Sequence, residues 1–190
     1  MDEGRKGWLA AFLLAAVALG VFMTLRHGPV KAGGLTPVAT RQLAPNMEFE
    51  QLDGGRWRLS EHRGQVVLIN LWATWCEPCI ERFPHMVQLY NRYKNDRVKF
   101  VSMSVDDRED KQALETARQF LRRQNATFPN YLMDENISKS FEKLDIEGVP
   151  DVFIYDLAGR RRYALNGNDP NRQFTEKDVD DAIASLVAQR

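Results

Sequence analysis

Two cysteines, Cys76 and Cys79, are the residues of this chain with the clearest capacity for chemistry. They are the only cysteines among 190 residues, and Glu77 and Pro78 separate them. A thiolate attacks a disulfide through a mixed-disulfide intermediate, which a second nearby thiol can resolve. The spacing therefore predicts thiol–disulfide exchange, in which Cys76 and Cys79 alternate between a dithiol and a disulfide.

The segments on either side of the pair place it where a strand ends and a helix begins. An apolar run over residues 66–71 predicts a buried strand before it. Apolar residues then recur at the spacing of a helix, at Phe83, Met86, Val87, Tyr90 and Tyr93. Because unpaired N–H groups at a helix start favour a thiolate, we expect Cys76 to ionise more readily than a free cysteine. Cys76, exposed at the helix start, is then the nucleophile, and the more buried Cys79 is the resolving thiol.

Two other interpretations of the cysteine pair carry less weight. A zinc site needs four ligands, and only three histidines, His27, His62 and His85, are present to complete one. A purely structural disulfide across three positions would close a very short loop and remove little chain entropy. We therefore favour a redox-active pair, and we expect no cofactor besides the dithiol itself.

The charge balance argues against nucleic acid as a partner. The chain has 26 basic and 26 acidic residues, and no block of basic residues of the kind that binds phosphates. Two cysteines also cannot form the framework of bridges that holds small secreted scaffolds together.

An 18-residue run without charge, Trp8 to Leu25, predicts a transmembrane helix. At 1.5 Å per residue such a helix is about 27 Å long, close to the thickness of a hydrocarbon core. A cleaved signal peptide is the alternative, since small-residue triplets at 16–18 and 30–32 resemble cleavage sites. The apolar core of a signal peptide is usually about 7 to 15 residues, so we favour an uncleaved anchor.

The chain divides into three predicted parts. Residues 1–26 form the membrane anchor, and residues 27–44, rich in Gly and Pro, form a tether. Residues 45–190 form one soluble domain. Strands alternate with helices in that domain, which predicts an α/β fold with a central mixed sheet flanked by helices.

Within the soluble domain, turn residues and capping residues predict the remaining elements. Two runs around the turn at residues 53–55 predict an N-terminal β-hairpin. Asp106 and Asp107 are placed to cap the helix that follows the next strand. Thr175 and Asp178 have the spacing of a capping box before the last helix.

Three motifs together resemble the thioredoxin superfamily, and within it the membrane-anchored TlpA/ResA/CcmG-like thiol–disulfide oxidoreductases. They are Trp-Cys-Glu-Pro-Cys at residues 75–79, the pair Phe83-Pro84, and Gly-Val-Pro at residues 148–150. The resemblance covers roughly residues 45–190. It implies a thioredoxin-like fold with an inserted helix and strand from about residue 107 to residue 133.

The resemblance also implies partners and a location. The redox domain would face the periplasm from the inner membrane, on a single-pass anchor. It would reduce disulfides of protein substrates, for example in cytochrome c maturation or metal-site assembly, and would itself be reduced by a membrane thiol electron donor.

Residues around the pair receive roles from the same resemblance. The Val149–Pro150 bond would be cis and face the cysteines, which leaves the Val149 backbone open for pairing with an extended substrate. Trp75 would be half-exposed and belong to a docking surface. Glu77 and Pro78, between the cysteines, would tune the redox potential.

Three positions depart from the pattern of the family. Asp151 follows the proline where Thr is usual, and its carboxylate would repel the thiolate, select cationic substrates or face solvent. Asn70 replaces the buried Asp of thioredoxins proper. Arg82 occupies the place of a glutamate of ResA-like proteins, and Glu81 lies one position earlier, on a different face of the helix.

Two other functions remain as alternatives. One is a peroxidase of the peroxiredoxin or glutathione-peroxidase-like branch, although the Trp-Cys-x-x-Cys pattern differs from a single peroxidatic cysteine. The other is a non-catalytic redox-sensing or binding domain.

Overall fold

Strands and helices alternate along the residues that the computed structural model describes, which are 48–52, 54–133, 137–168 and 173–189. The strands are β1 (Glu48–Gln51), β2 (Arg56–Arg58), β3 (Val66–Trp72), β4 (Val98–Ser104), β5 (Asn130–Leu132), β6 (Asp151–Tyr155) and β7 (Arg161–Asn166). The α-helices are α1 (Glu77–Tyr93), α2 (Lys111–Arg123), α3 (Ile137–Leu144) and α4 (Glu176–Val187). A short 3-10 helix, Leu59–His62, lies between β2 and β3.

The strands form one mixed sheet in the order β2-β1-β5-β4-β3-β6-β7. The β3–β4 and β4–β5 pairs are parallel, whereas β6 pairs antiparallel with both β3 and β7. Every residue of β3 is buried, as a strand covered by helices on both faces requires. The predicted α/β fold with a central mixed sheet is therefore confirmed, with β3 at its centre.

Aromatic packing fixes the helix that follows the cysteines against one face of the sheet. The Trp72 ring at the end of β3 lies 5.0 Å from Phe83 of α1 and 5.2 Å from Phe120 of α2. Phe83 and Phe120 also contact each other edge-on at 5.0 Å. These buried rings position the start of α1 at the end of β3, because large aromatic side chains contribute much of the packing energy of a core.

Most of the predicted smaller elements are present. The N-terminal hairpin is confirmed as β1 and β2, and the predicted insertion contains α2 and β5. Thr175 and Asp178 form a reciprocal capping box at the start of α4. The predicted cap of α2 is wrong, because Asp110 is the residue whose carboxylate accepts from the first N–H groups of that helix.

The predicted anchor, tether and domain boundary, at residues 1–26, 27–44 and 45, lie outside the described residues. Among the helices that are described, none is long and apolar enough to cross a membrane.

Candidate active site

The two cysteines lie at the junction that the sequence predicted. Cys76 is the N-cap residue of α1, and it forms a disulfide with Cys79 one helical turn later. The backbone N–H of Cys79 donates to the Sγ of Cys76 at 3.3 Å. An N–H group of the first helical turn is therefore directed at the first sulfur of the pair, which favours negative charge there when the disulfide opens.

Both cysteines are buried in this oxidised form. Cys76 is 5% exposed and Cys79 is 3% exposed, so the expectation of an exposed Cys76 is wrong. The physical reason is the segment before β6, whose Val149 carbonyl oxygen lies 3.4 Å from the Sγ of Cys76. Trp75, next to Cys76, is 58% exposed, in agreement with the expectation of a half-exposed ring.

A buried carboxylate holds the cysteine segment, residues 73–79, in place. Asp106 is 2% exposed and lies just after β4. Its oxygens accept from the Thr74 N–H at 3.1 Å, the Thr74 hydroxyl at 2.7 Å and the Ser104 hydroxyl at 2.6 Å. The sequence offered a signal for this contact, because the ends of two parallel strands meet at one edge of a sheet and Thr74 and Asp106 each follow such a strand.

The proline segment, residues 148–151, lies on the other side of the disulfide. The Val149–Pro150 peptide bond is cis, as the family resemblance implied. The Gly167 N–H, just after β7, donates to the Pro150 carbonyl oxygen at 2.8 Å. A Cβ on Gly167 would come within 2.6 Å of both that oxygen and the Pro150 ring, so only glycine fits there.

Asn168 is a further residue at the site that sequence reasoning missed. With its amide oriented to satisfy both neighbours, its nitrogen donates to the Val149 carbonyl at 2.9 Å. Its oxygen accepts from the Val149 N–H at 3.1 Å. The signal available in the sequence was weak, since a polar residue after a terminal hairpin is ordinarily solvated.

The Asp151 side chain lies on the sheet face opposite α1. Asp151 pairs directly with Leu71, and directly paired residues share a face. Trp72, the next residue along β3, points to the other face and packs on α1. The expectation that the carboxylate repels the Cys76 thiolate, or that it faces solvent, therefore does not agree with the structure.

Burial dominates the electrostatics of Asp151, which is 4% exposed. Burial raises the pKa of this carboxyl from 3.8 to about 7, and the charge of Glu147 adds to the increase. The Gly167 N–H, at 3.4 Å, and the nearby Arg161 oppose the increase. Asp151 lines a cavity of about 590 Å³ together with Arg161, whose guanidinium lies 4.7 Å from the centre of the Phe153 ring.

The other two departures from the family pattern, Asn70 and Arg82, lie on β3 and α1. Asn70 is buried on β3 between Ser102 and Val152. The Arg82 guanidinium donates to the Phe174 carbonyl at 2.6 Å and lies over its ring, which ties α1 to the segment before α4. Glu81 is exposed, as are Glu77 and Pro78 in the first turn of α1.

The zinc alternative finds no support in the described residues. His62 contacts Gln65, and His85 lies 3.7 Å from Glu176. In the described ranges no three His, Cys, Asp or Glu side chains are grouped so that they could hold a metal ion.

Comparison with known proteins agrees with this geometry. The model of the AhpC/TSA family matches residues 40–164. The thiol–disulfide oxidoreductase ResA of Geobacillus kaustophilus is 29% identical over 151 residues, which are 80% of each chain. The ResA of Bacillus subtilis is 32% identical over 117 residues, which are 62% of each chain.

Solved structures share the fold. A thioredoxin-family thiol:disulfide interchange protein from Chlorobium tepidum superimposes with a TM-score of 0.61 at 20% identity. The alignment covers 80% of this chain and 97% of that one. The thioredoxin-like fold and the predicted enzyme class, a thiol–disulfide oxidoreductase, are thereby confirmed. The chain belongs to the AhpC/TSA family.

Proposed function

We propose that this protein reduces disulfides of extracytoplasmic protein substrates with the Cys76–Cys79 dithiol. The observation that carries the proposal is the position of Cys76 as the N-cap of α1. There its sulfur accepts the Cys79 N–H and lies 3.4 Å from the Val149 carbonyl. A sulfur in this position is stabilised as a thiolate and adjoins a backbone that can pair with a substrate.

The first step joins enzyme and substrate. The Cys76 thiolate attacks one sulfur of the substrate disulfide, a new S–S bond forms to Cys76, and the substrate S–S bond breaks. The departing substrate sulfur leaves as a thiolate and takes a proton from solvent. Helix N–H groups stabilise the attacking charge before this step.

The second step releases the product. The Cys79 thiolate attacks the Cys76 sulfur, which closes the Cys76–Cys79 disulfide and expels the second substrate thiolate. The substrate has gained two electrons and two protons, and the enzyme has lost them. The resulting disulfide is the bond present in the structure. A membrane thiol donor would return the enzyme to the dithiol by the same exchange in reverse.

Two features beside the disulfide serve substrate docking in this proposal. Trp75 offers apolar area next to Cys76, and amphipathic aromatic side chains are frequent at interfaces. Val149 offers a backbone N–H and carbonyl for an added strand, the mode in which extended peptides bind to exposed backbone.

The N-terminal segment supports the proposed membrane location, and the resemblance to TlpA/ResA/CcmG-like proteins supports the periplasmic side. The uncharged run from Trp8 to Leu25 would span the inner membrane, and the tether at 27–44 would hold the redox domain in the periplasm. In that compartment a reductant serves sites that need free thiols, and cytochrome c maturation or metal-site assembly are the processes we propose.

Trapping of the mixed disulfide tests the proposal. The full chain with Cys79→Ser, reduced and mixed with insulin as a disulfide-containing protein, should accumulate a Cys76–insulin adduct that mass spectrometry detects. The matched variant Cys76→Ser should form none, and the unchanged chain should catalyse insulin reduction by dithiothreitol.

Other outcomes would contradict specific parts of the proposal. Adducts with Cys76→Ser alone would reverse the two roles. Peroxide consumption without insulin reduction would favour the peroxidase alternative. Reduction of insulin by neither the unchanged chain nor any variant would leave a non-catalytic domain.

A further inference from the structure

The Asn168 side chain occupies both backbone groups of Val149. Its amide donates to the Val149 carbonyl at 2.9 Å and accepts from the Val149 N–H at 3.1 Å. The N–H and C=O of one extended residue point to the same side, so a single amide can pair with both, as a neighbouring strand residue does. The Asn168 amide therefore imitates one residue of an added strand.

This contact lies next to the reactive pair. The Val149 carbonyl that accepts from Asn168 is the same carbonyl that lies 3.4 Å from the Sγ of Cys76. An extended substrate that pairs with Val149 would need the hydrogen-bonding groups that Asn168 holds. The two cannot bind Val149 together, because each carries its own donor and acceptor to the same position.

The backbone of Asn168 is fixed by a hydrogen bond, whereas the residue is exposed to solvent. The Asn168 N–H donates to the Asn166 side chain at 2.6 Å, which fixes the main chain at the end of β7. Residue 168 is exposed, so the amide can rotate into water without unfolding its surroundings. It also packs on Gly148, where an added Cβ would lie 3.0 to 3.3 Å from the amide atoms.

We propose that Asn168 is a specificity-determining residue, a side-chain cap that a substrate strand must displace from Val149 before its disulfide reaches Cys76. This inference rests on the proposed disulfide-reductase function. The cap discriminates between classes of disulfide. A protein disulfide flanked by extended backbone competes with the Asn168 amide for the N–H and carbonyl of Val149. A small disulfide without a peptide backbone does not compete for these groups.

A comparison of two disulfides tests the cap, with the full chain throughout. Asn168→Ala should lower the KM for insulin about three- to tenfold, because two partly solvated hydrogen bonds no longer compete with the substrate. Its kcat for insulin and its rate with dithiobis(nitrobenzoate), a small aromatic disulfide, should stay unchanged. Asn91→Ala, the same change at an exposed position of α1, is the control and should alter neither rate.

Gly148→Ala provides a second variant that leaves Asn168 itself intact. The new methyl group would push the amide by a few tenths of an ångström and weaken its bonds to Val149, so the KM for insulin should again fall, by less than in Asn168→Ala. Hydrogen exchange of the Val149 amide reports the contact directly and should become about three- to tenfold faster in Asn168→Ala.

The outcomes separate the two proposals. An unchanged or higher KM for insulin in Asn168→Ala, or unchanged exchange at Val149, would overturn the cap while leaving the reductase function intact. Equal loss of rate on both disulfides would mean that Asn168 only supports the fold. If the unchanged chain reduces neither disulfide, the reductase function fails, and the cap fails with it.

Discussion

The disulfide lies between two segments that are held in different ways. The cysteine segment, residues 73–79, is fixed by the buried carboxylate of Asp106, which accepts from the Thr74 N–H and hydroxyl and also from the Ser104 hydroxyl of β4. The proline segment, residues 148–151, is held by the end of β7, through the Gly167 N–H and the exposed Asn168 amide. The first set of contacts converges on one buried carboxyl group, and the second uses one backbone amide and the side-chain amide of an exposed residue.

The position of each segment in the sheet explains the difference. Asp106 and Thr74 follow β4 and β3, two parallel strands at the centre of the sheet, where contacts are shielded from water. The proline segment is supported by β7, an edge strand. The cysteine segment is thus held from the core of the sheet, whereas the proline segment, where we propose that the substrate binds, is held from its edge.

Removal of the carboxylate that holds the cysteine segment should have the largest effect. Asp106→Ala leaves the Thr74 N–H, the Thr74 hydroxyl and the Ser104 hydroxyl without their acceptor. An unpaired buried donor costs about 1–3 kcal/mol, and the half-buried Thr74 donors lie at the low end of that range. We therefore expect a loss of about 4–5 kcal/mol in the free energy of unfolding. Denaturant unfolding of the oxidised protein and of the variant measures this loss.

The neighbouring acid provides the control for this prediction. Asp107 is exposed, and its carboxylate accepts a local bond from the Glu109 N–H. Asp107→Ala should cost at most about 1 kcal/mol. Equal losses in the two variants would show that the carboxylate of Asp106 does not hold the cysteine segment.

Sequence reasoning located the cysteine segment but not what holds it. Cys76 could be placed because its strand and helix are contiguous with it, so local periodicity suffices. Asp106 was interpreted as a helix cap because Asp is common at that position, whereas Asp110 fills the role. The partner of Asp106 is 32 residues away, and only the pairing of β3 with β4 brings them together.

For the proline segment, even less of the structure could be predicted from local sequence patterns. The Val-Pro motif was readable from the sequence, but the face on which Asp151 lies depends on the register of β6 against β3. A shift of one residue would turn the carboxylate toward α1, and no local pattern fixes that register. Gly167 and Asn168 act through a hairpin whose end could not be placed against Val149 in advance.

A pH-dependent stability should distinguish the proline segment from the cysteine segment. Burial raises the pKa of Asp151 from 3.8 to about 7, so between these pH values the unfolded chain binds fewer protons than the folded protein. The contribution of Asp151 to the free energy of unfolding is therefore greatest at low pH and is lost as the pH rises through 7. Each pKa unit corresponds to about 1.4 kcal/mol, which gives a loss of about 4 kcal/mol from pH 4 to pH 8.

Asp151→Asn should remove this part of the pH dependence. The amide has nearly the same shape, keeps an acceptor for the Gly167 N–H and does not ionise. The difference in unfolding free energy between the variant and the unchanged chain should therefore grow in favour of the variant from pH 4 to pH 8. Glu77→Gln, a change at an exposed acid, is the control. If the free energies of unfolding of Asp151→Asn and of the unchanged chain vary in parallel with pH, the burial of Asp151 does not make stability depend on pH.

Two glycines, Gly148 in the proline segment and Gly167 after β7, allow a test of which contacts position the segment. A methyl group on Gly167 would meet backbone, at 2.6 Å from the Pro150 oxygen, whereas one on Gly148 would meet only the Asn168 side chain at 3.0 Å or more. Overpacking against backbone costs about 1–3 kcal/mol, because the main chain itself must shift. A flexible exposed side chain can move at much lower cost.

Gly167→Ala should therefore lose about 1–3 kcal/mol of unfolding free energy, because the Pro150 backbone must shift. The rate with both protein and small disulfides should fall, since that shift also moves the adjacent Val149 carbonyl, which lies 3.4 Å from the Sγ of Cys76. Gly148→Ala should change stability by less than about 0.5 kcal/mol. Thermal unfolding and the two disulfide assays measure these effects on matched variants. If the two glycines tolerate alanine equally well, the Gly167 contact does not position the proline segment.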